Sequence, residues 1–215
     1  MRPNLIAALL LSCWTFSCNK IPETKPNVLL ITLDTTRADH LGSYGYEKAE
    51  TPNLDSLAES GVVFETAVCQ SPLTLPSHAS ILTGTYPPFH GVRDNGGFYL
   101  GEQAVTLAEL LREQGYSTSA FIGAFVLDAR WGTAQGFEVY DDNFGLATQK
   151  AVNLDSVQRR GEDVVEAFFD WLDDRTGNPF LSWLHFYDPH TPYDPPEPYR
   201  SRFSESLYDG EIAYM

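Results

Sequence analysis

The chain has 215 residues, enough for one large domain or two small ones, and 43% of them are hydrophobic, as in ordinary globular proteins. Its 29 acidic residues outnumber 14 basic ones, which gives a formal net charge of -15. Because binding to a nucleic-acid backbone needs a positive surface, we expect no nucleic-acid partner.

Residues 1–18 have the pattern of a bacterial export signal. Arg2 precedes an apolar run over residues 5–11 that is too short to span a membrane, and Ser17 stands before Cys18. This order resembles a lipoprotein signal, in which the cysteine carries the lipid after cleavage. Cys13 is the competing site, and ordinary cleavage without a lipid is the alternative. We therefore predict an exported protein, periplasmic or at the cell surface, with a lipid anchor on Cys18 and membrane association.

The region after the leader begins with a linker and a buried strand. Residues 19–26 contain two prolines and read as a tether. Residues 27–33 are so uniformly apolar that they predict a strand covered on both faces. Residues 51–61 predict a helix, because Thr51 can cap it and a proline follows in the first turn. Residues 62–68 predict a second strand.

The rest of the chain continues this alternation. Helices are predicted over residues 76–82, 106–114 and 160–173, and strands over 116–122 and 180–186. Strands that alternate with helices indicate an α/β domain, with a mainly parallel sheet sandwiched by helices. Cys69 is the one cysteine beyond the leader, and its apolar neighbours predict a core position.

In parallel sheets, ligands bind beyond the carboxyl ends of the strands, which draws attention to three segments. Asp34 ends the first strand, where a carboxylate can bind a divalent cation or merely cap the next turn. Thr74 precedes the helix at 76–82, where free amide groups favour an anion. Its hydroxyl could attack a bound ester if a metal lowered its pKa. The alternative is that Thr74 or Ser77 simply caps the helix.

The third segment follows the last strand. His190 stands between Pro189 and Pro192, which restrict its backbone. It could bind an anionic oxygen of a substrate or protonate a leaving group. The alternative is a loop histidine without a role.

Together these segments resemble the sulfatase family of the alkaline phosphatase superfamily. Residues 27–45 are similar to its opening strand and metal-binding turn. Residues 74–79, Thr-Leu-Pro-Ser-His-Ala, are similar to its nucleophile signature Cys/Ser-x-Pro-Ser-Arg-Ala. Residues 189–193 are similar to its Pro-His-x-Pro motif. The family's catalytic domain is about twice as long, so residues 27–215 would form its N-terminal portion, incomplete at the C-terminus, with further metal ligands downstream.

The resemblance implies a metal-dependent hydrolase of sulfate esters, or of related phosphate esters, that forms a covalent intermediate on Thr74. It implies Thr74, His190 and His78 as catalytic residues, and Asp34, Thr35 and Thr74 as metal ligands. The implied cofactor is a divalent cation, calcium first, with zinc or manganese as alternatives. The implied substrate is a sulfated or phosphorylated small molecule or glycan.

Departures from the family pattern leave the chemistry open. Thr74 cannot be oxidised to formylglycine as the usual cysteine or serine is. His78 replaces the signature arginine, and Thr35 replaces a second aspartate. Residues 123–126 stand where a Gly-Lys-Trp-His segment is expected, so a lysine and a histidine are absent. Because of these losses, hydrolysis of phosphate esters stays open as an alternative to hydrolysis of sulfate esters. The alternative function is a catalytically inactive, truncated surface lipoprotein with this fold.

Overall fold

The computed structural model describes residues 25–145, 157–175 and 177–215. The predicted export signal, including Cys13 and Cys18, and most of the linker lie outside the described residues, so the lipid anchor stays a prediction. Within the described ranges, none of the helices combines the length and apolar character that a membrane crossing requires.

Four parallel strands form the central sheet in the order β1-β4-β2-β3. All seven residues of β4 are buried, as the apolar run 180–186 predicts. The prediction that the first strand is covered on both faces is wrong for the described residues, because β1 lies at the edge of the sheet and Leu29 and Ile31 are each 47% exposed. The ladder between β1 and β4 pairs Thr32 with His185 and Leu33 with Phe186, so the carboxyl ends of these strands are level. The strands are β1 Val28–Leu33, β2 Ser117–Ile122, β3 Val139–Asp141 and β4 Phe180–Phe186.

Helices cover both faces of the sheet. One hydrophobic cluster joins Leu75 and Leu82 of α2 to the indole of Trp183, and another joins Phe168 of α5 to Leu184. The predicted sandwich of helices around a parallel sheet is therefore confirmed. The α-helices of the described residues are α1 Pro52–Ser60, α2 Thr74–Thr83, α3 Pro87–His90, α4 Leu107–Glu113, α5 Gly161–Asp173, α6 Tyr199–Arg202 and α7 Leu207–Tyr214.

Two predictions about residues 62–69 are wrong. The segment forms no strand, and Val62, Phe64 and Val68 are exposed. Cys69 is exposed as well, not part of the core. Apolar residues alone do not make a strand, because a strand also needs a partner for its backbone groups, and this segment pairs with none of the described strands.

Candidate functional site

The three segments singled out in the sequence meet at a cavity of about 520 Å³, which we call the main cavity. Asp34 and Thr35 come from the end of β1, Thr74 and His78 come from α2, and His190 comes from the loop after β4. Every predicted site residue therefore lines one cavity, although their roles stay predictions. The parallel sheet produces this convergence, because its strands end at the same edge.

Asp34 contacts a residue that the sequence analysis does not select. Its Oδ2 lies 3.3 Å from Nε2 of His185, and its backbone N–H donates to the carbonyl of Phe186 at 3.0 Å. Burial alone would raise the pKa of Asp34. Hydrogen bonding to His185 and to the Thr74 hydroxyl, with the charges of His185 and His78, outweighs burial and lowers this pKa. Asp34 is therefore a carboxylate at neutral pH.

His78 is held as a neutral imidazole. Its Nδ1 lies 2.7 Å from the carbonyl of Thr74, so Nδ1 carries the proton and donates it. Burial, together with the charge of His185, lowers the pKa of His78 to about 4. Nε2 is buried and has no hydrogen-bond partner among the described residues. An imidazole whose Nδ1–H is fixed by a carbonyl and whose Nε2 lone pair is unused has the usual form of a histidine metal ligand.

Asp34, His78 and His185 form a cluster, which we call the Asp-His-His cluster. Their ligand atoms lie within 4.8 Å of one another. The imidazole rings of His78 and His185 meet edge to face at 4.8 Å. One carboxylate oxygen and two imidazole nitrogens at such distances can hold a divalent cation.

Thr74 begins α2 beside this cluster, one turn before His78. Its side chain is nearly buried, and its hydroxyl contributes to the low pKa of Asp34. The next amide, that of Leu75, donates to Oδ1 of Asn95 at 2.9 Å. Asn95 also lines the main cavity, and the sequence analysis does not select it. The prediction that Thr74 lies at a helix N-terminus is confirmed, with Thr74 as the first helical residue.

The turn after Asp34 has an unusual backbone. Thr35 has φ of 56°, the one positive φ of a non-glycine residue in the described part of the chain. Tyr208 of α7 reaches this turn, where its hydroxyl donates to the Thr35 carbonyl at 2.7 Å and accepts from the Arg37 amide at 2.9 Å. A helix late in the chain is thus tied to the turn that follows Asp34.

His190 lines the main cavity from the loop after β4. Its Nδ1 donates to the carbonyl of Thr191 at 2.8 Å, and its ring stacks on Tyr187 with centroids 4.3 Å apart. His190 and Asn95 also line an adjoining cavity of about 220 Å³, whose other walls include Phe125. His190 therefore lies where the two cavities meet.

Ser80 and His90 form a second hydroxyl–imidazole pair, but its geometry does not suit a nucleophile. Nδ1 of His90 accepts from the Val92 amide at 3.2 Å, so the proton is on Nε2. Nε2 therefore donates to Oγ of Ser80 at 3.0 Å, and that hydroxyl donates to the Pro76 carbonyl at 3.0 Å. A base for Ser80 would need a free nitrogen lone pair toward the hydroxyl. The pair is structural.

Two further carboxyl groups are buried behind the His190 loop. Asp188 accepts from the amide of Gly161 at 2.9 Å, and Glu211 of α7 accepts from the amide of Asp194 at 2.6 Å. Oδ2 of Asp188 and Oε2 of Glu211 have no partner among the described residues. Burial, and then the charge of Asp188, raises the pKa of Glu211 to about 7, and burial also raises that of Asp188.

Gly123 lets the end of β2 approach β4 at the site. A Cβ on Gly123 would lie 2.7 Å from the carbonyl oxygen of His185. We expect Gly123→Ala to lower the free energy of unfolding by about 2 kcal/mol, because backbone must shift to admit the methyl group. Urea denaturation measures this. Gly96→Ala is the control, since a Cβ there meets nothing within 4 Å, and equal effects of the two changes would contradict the argument.

Comparisons with known proteins agree on one family. A family model described as Sulfatase matches residues 26–214. The chain is 31% identical over 204 residues to an ulvan-active sulfatase of Formosa agariphila, covering 86% of this chain and 40% of that protein. It is 28% identical over 198 residues to an N-acetylglucosamine-6-O-sulfatase of Bacteroides thetaiotaomicron, covering 86% and 35%.

A solved structure matches as well. The phosphonate monoester hydrolase of Agrobacterium radiobacter superposes with a TM-score of 0.66 at 25% identity, over 82% of this chain and 44% of that one. The chain thus spans less than half the length of each of these relatives.

Proposed function

The chain belongs to the sulfatase family, and from that premise we propose that it hydrolyses sulfate esters, or related phosphate esters, with Thr74 as the nucleophile and a divalent cation at the Asp-His-His cluster. The observation that carries the proposal is the position of the Thr74 hydroxyl. It stands at the start of α2, beside the Asp-His-His cluster, in which Nε2 of His78 and Nδ1 of His185 have no hydrogen-bond partner among the described residues.

The cluster's donor atoms suit a cation. The unused lone pair on Nε2 of His78 is a buried polar atom that water or a metal must satisfy. Imidazole nitrogen suits zinc better than calcium, which takes oxygen ligands. We therefore favour zinc first, and manganese second, over the calcium that the family resemblance implies. Thr35 and Thr74 line the same cavity and remain proposed oxygen ligands. A bound divalent cation would lower the pKa of the Thr74 hydroxyl and polarise an ester oxygen.

The residues of the chain have separate tasks in this mechanism. The Thr74 hydroxyl releases its proton to solvent, its oxygen attacks sulfur or phosphorus, and the bond to the alcohol oxygen breaks. His190 enters this step as an imidazolium, with its Nδ1–H held by the Thr191 carbonyl, and gives its Nε2 proton to the departing alcohol oxygen. Water then attacks the ester on Thr74 and gives a proton to Nε2 of His190, the bond to the Thr74 oxygen breaks, and that oxygen regains a proton from solvent. The helix N-terminus at Thr74 favours the anionic group throughout.

Substrate class is proposed from the relatives and from the lining of the cavity. The named relatives act on ulvan, on N-acetylglucosamine 6-O-sulfate and on phosphonate monoesters. Among the described residues, neither lysine nor arginine lines the main cavity. A sulfated glycan or small molecule, or a singly charged phosphate ester, needs less positive charge than a phosphate monoester and fits this lining best.

The test is ester hydrolysis by the purified chain, stripped of metal and then supplied with zinc, manganese or calcium. We expect the chain to hydrolyse para-nitrophenyl sulfate, or a para-nitrophenyl phosphate diester, only when metal is present. The rate should be higher with zinc or manganese than with calcium. We expect His78→Phe, which keeps a ring against Trp183, to weaken manganese binding by at least roughly tenfold. Binding is measured from the electron paramagnetic resonance signal of free manganese.

The control is His90→Phe, which removes a buried imidazole outside the Asp-His-His cluster. Manganese affinity should not change in this variant. Unchanged affinity in His78→Phe would show that His78 is no ligand. Failure to hydrolyse any of these esters with any of the three metals would favour the inactive lipoprotein instead.

A further inference from the structure

The left-handed backbone of Thr35 needs an explanation from its surroundings. A β-branched residue at positive φ is an outlier, and such strain persists only where neighbouring contacts hold it. Thr35 lines the main cavity directly after Asp34, so its conformation decides where its hydroxyl lies in the site.

The upstream side of this turn is fixed by the sheet. The Asp34 amide donates to the Phe186 carbonyl at 3.0 Å, and the Thr36 amide donates to the Leu33 carbonyl at 3.4 Å. Neither bond restrains the carbonyl of Thr35. Among the described residues, the group that reaches this carbonyl is the hydroxyl of Tyr208, at 2.7 Å.

The same hydroxyl accepts from the Arg37 amide at 2.9 Å, so one side-chain oxygen forms hydrogen bonds with two backbone groups of the same turn. Tyr208 is itself held in place. Its ring meets His40 edge to face at 5.0 Å, and the next residue, Asp209, accepts from His40 at 2.6 Å and from Tyr46 at 3.1 Å. The contacts of Tyr208 and Asp209 at the start of α7 therefore fix the position of the Tyr208 hydroxyl.

We propose that Tyr208 is a positioning residue that holds Thr35 in its left-handed conformation and so fixes the Thr35 oxygen in the cation site. The inference rests on the proposed function, because it assigns a support to one of the proposed ligands. It adds a residue 173 positions away in the chain. Without the hydroxyl, Thr35 relaxes to negative φ and its side chain leaves its place on the cavity wall.

The test compares Tyr208→Phe with the parent chain, with manganese alone as the probe. We expect manganese affinity to fall roughly tenfold, because removal of a group that holds a metal ligand in position typically weakens metal binding by about this much. In the cobalt-loaded protein, the visible absorption bands should shift, because the ligand arrangement changes. Tyr86→Phe is the control, since that tyrosine is exposed and its loss should alter neither readout.

A second substitution separates positioning from general stabilisation. Asparagine adopts positive φ more readily than threonine and keeps a side-chain oxygen. Thr35→Asn should therefore restore manganese affinity in the Tyr208→Phe background. If Tyr208→Phe alone does not fold, the double variant should fold and bind manganese, and failure of the double variant to bind overturns the inference.

The outcomes distinguish this inference from the proposed function. Parent-like manganese affinity and cobalt bands in Tyr208→Phe overturn the positioning role and leave the proposed function standing. Absence of metal binding by the parent chain overturns both.

Discussion

Thr74→Val is expected to lower kcat for ester hydrolysis by roughly 10³-fold or more, since loss of a nucleophile removes the covalent route. Valine keeps the shape of threonine and removes only the hydroxyl. Thr74→Ser is the matched variant, because it keeps the hydroxyl and loses a methyl group. We expect it to retain activity within about tenfold of the parent. Initial rates under saturating substrate and metal measure both.

A covalent ester on Thr74 is the second readout. Rapid acid quenching followed by mass spectrometry of the peptide that contains residues 71–83 should reveal the sulfated or phosphorylated hydroxyl. The main cavity also contains Ser71 and Ser77. Full activity in Thr74→Val, or a modified peptide that carries the group on either serine, would refute Thr74 as the nucleophile.

Glu211→Gln is expected to raise the free energy of unfolding above pH 7. The pKa of Glu211 is about 7 in the folded chain against an ordinary value of 4.5. Between these values the folded chain keeps the proton and the unfolded chain has released it. Stability is therefore lost as pH rises through this window. Ionising this buried carboxyl costs about 3 kcal/mol at pH 8, as an order of magnitude.

Glutamine removes this cost and keeps an oxygen for the amide of Asp194, which Oε1 of Glu211 now accepts. Urea denaturation at pH 5 and at pH 8 should show a gain for Glu211→Gln at the higher pH and little change at the lower one.

The control for this prediction is Glu205→Gln, on an exposed carboxylate near α7. It should leave the pH dependence of stability unchanged. A Glu211→Gln variant that is less stable than the parent at pH 8 would mean that a bound cation or another charge stabilises the carboxylate, contrary to the sign argued above.

Much of the fold can be predicted from the sequence because apolar runs are typical of parallel strands. Residues 27–33 and 180–186 predict β1 and β4 to within one residue. Residues 62–68 have comparable apolar content, yet they form no strand. The apolar content of a segment shows that it can be buried. Whether it forms a strand also depends on a partner strand elsewhere in the chain. β3 has three residues, too few to show a pattern.

The site can be predicted in part for a similar reason. Asp34, Thr74 and His190 stand at the ends of elements, where polar residues after apolar runs are conspicuous. His185 lies inside β4 and looks like a residue of the core. Its significance depends on the pairing of β1 with β4, which places it level with Thr32 and beside Asp34. A histidine near the end of a largely apolar central strand is the signal that could have revealed it.

The pairing of β1 with β4 also sets the order in which the molecule can form. Asp34 and His185 are separated by 151 residues, and parallel pairing across such a separation is slow because a long loop must close first. The main-chain hydrogen bonds of α2, which carries Thr74 and His78 on consecutive turns, are local in the chain. During synthesis the residue that we propose as the nucleophile is therefore made long before β4, and the chain gains a complete Asp-His-His cluster only after β4 has left the ribosome.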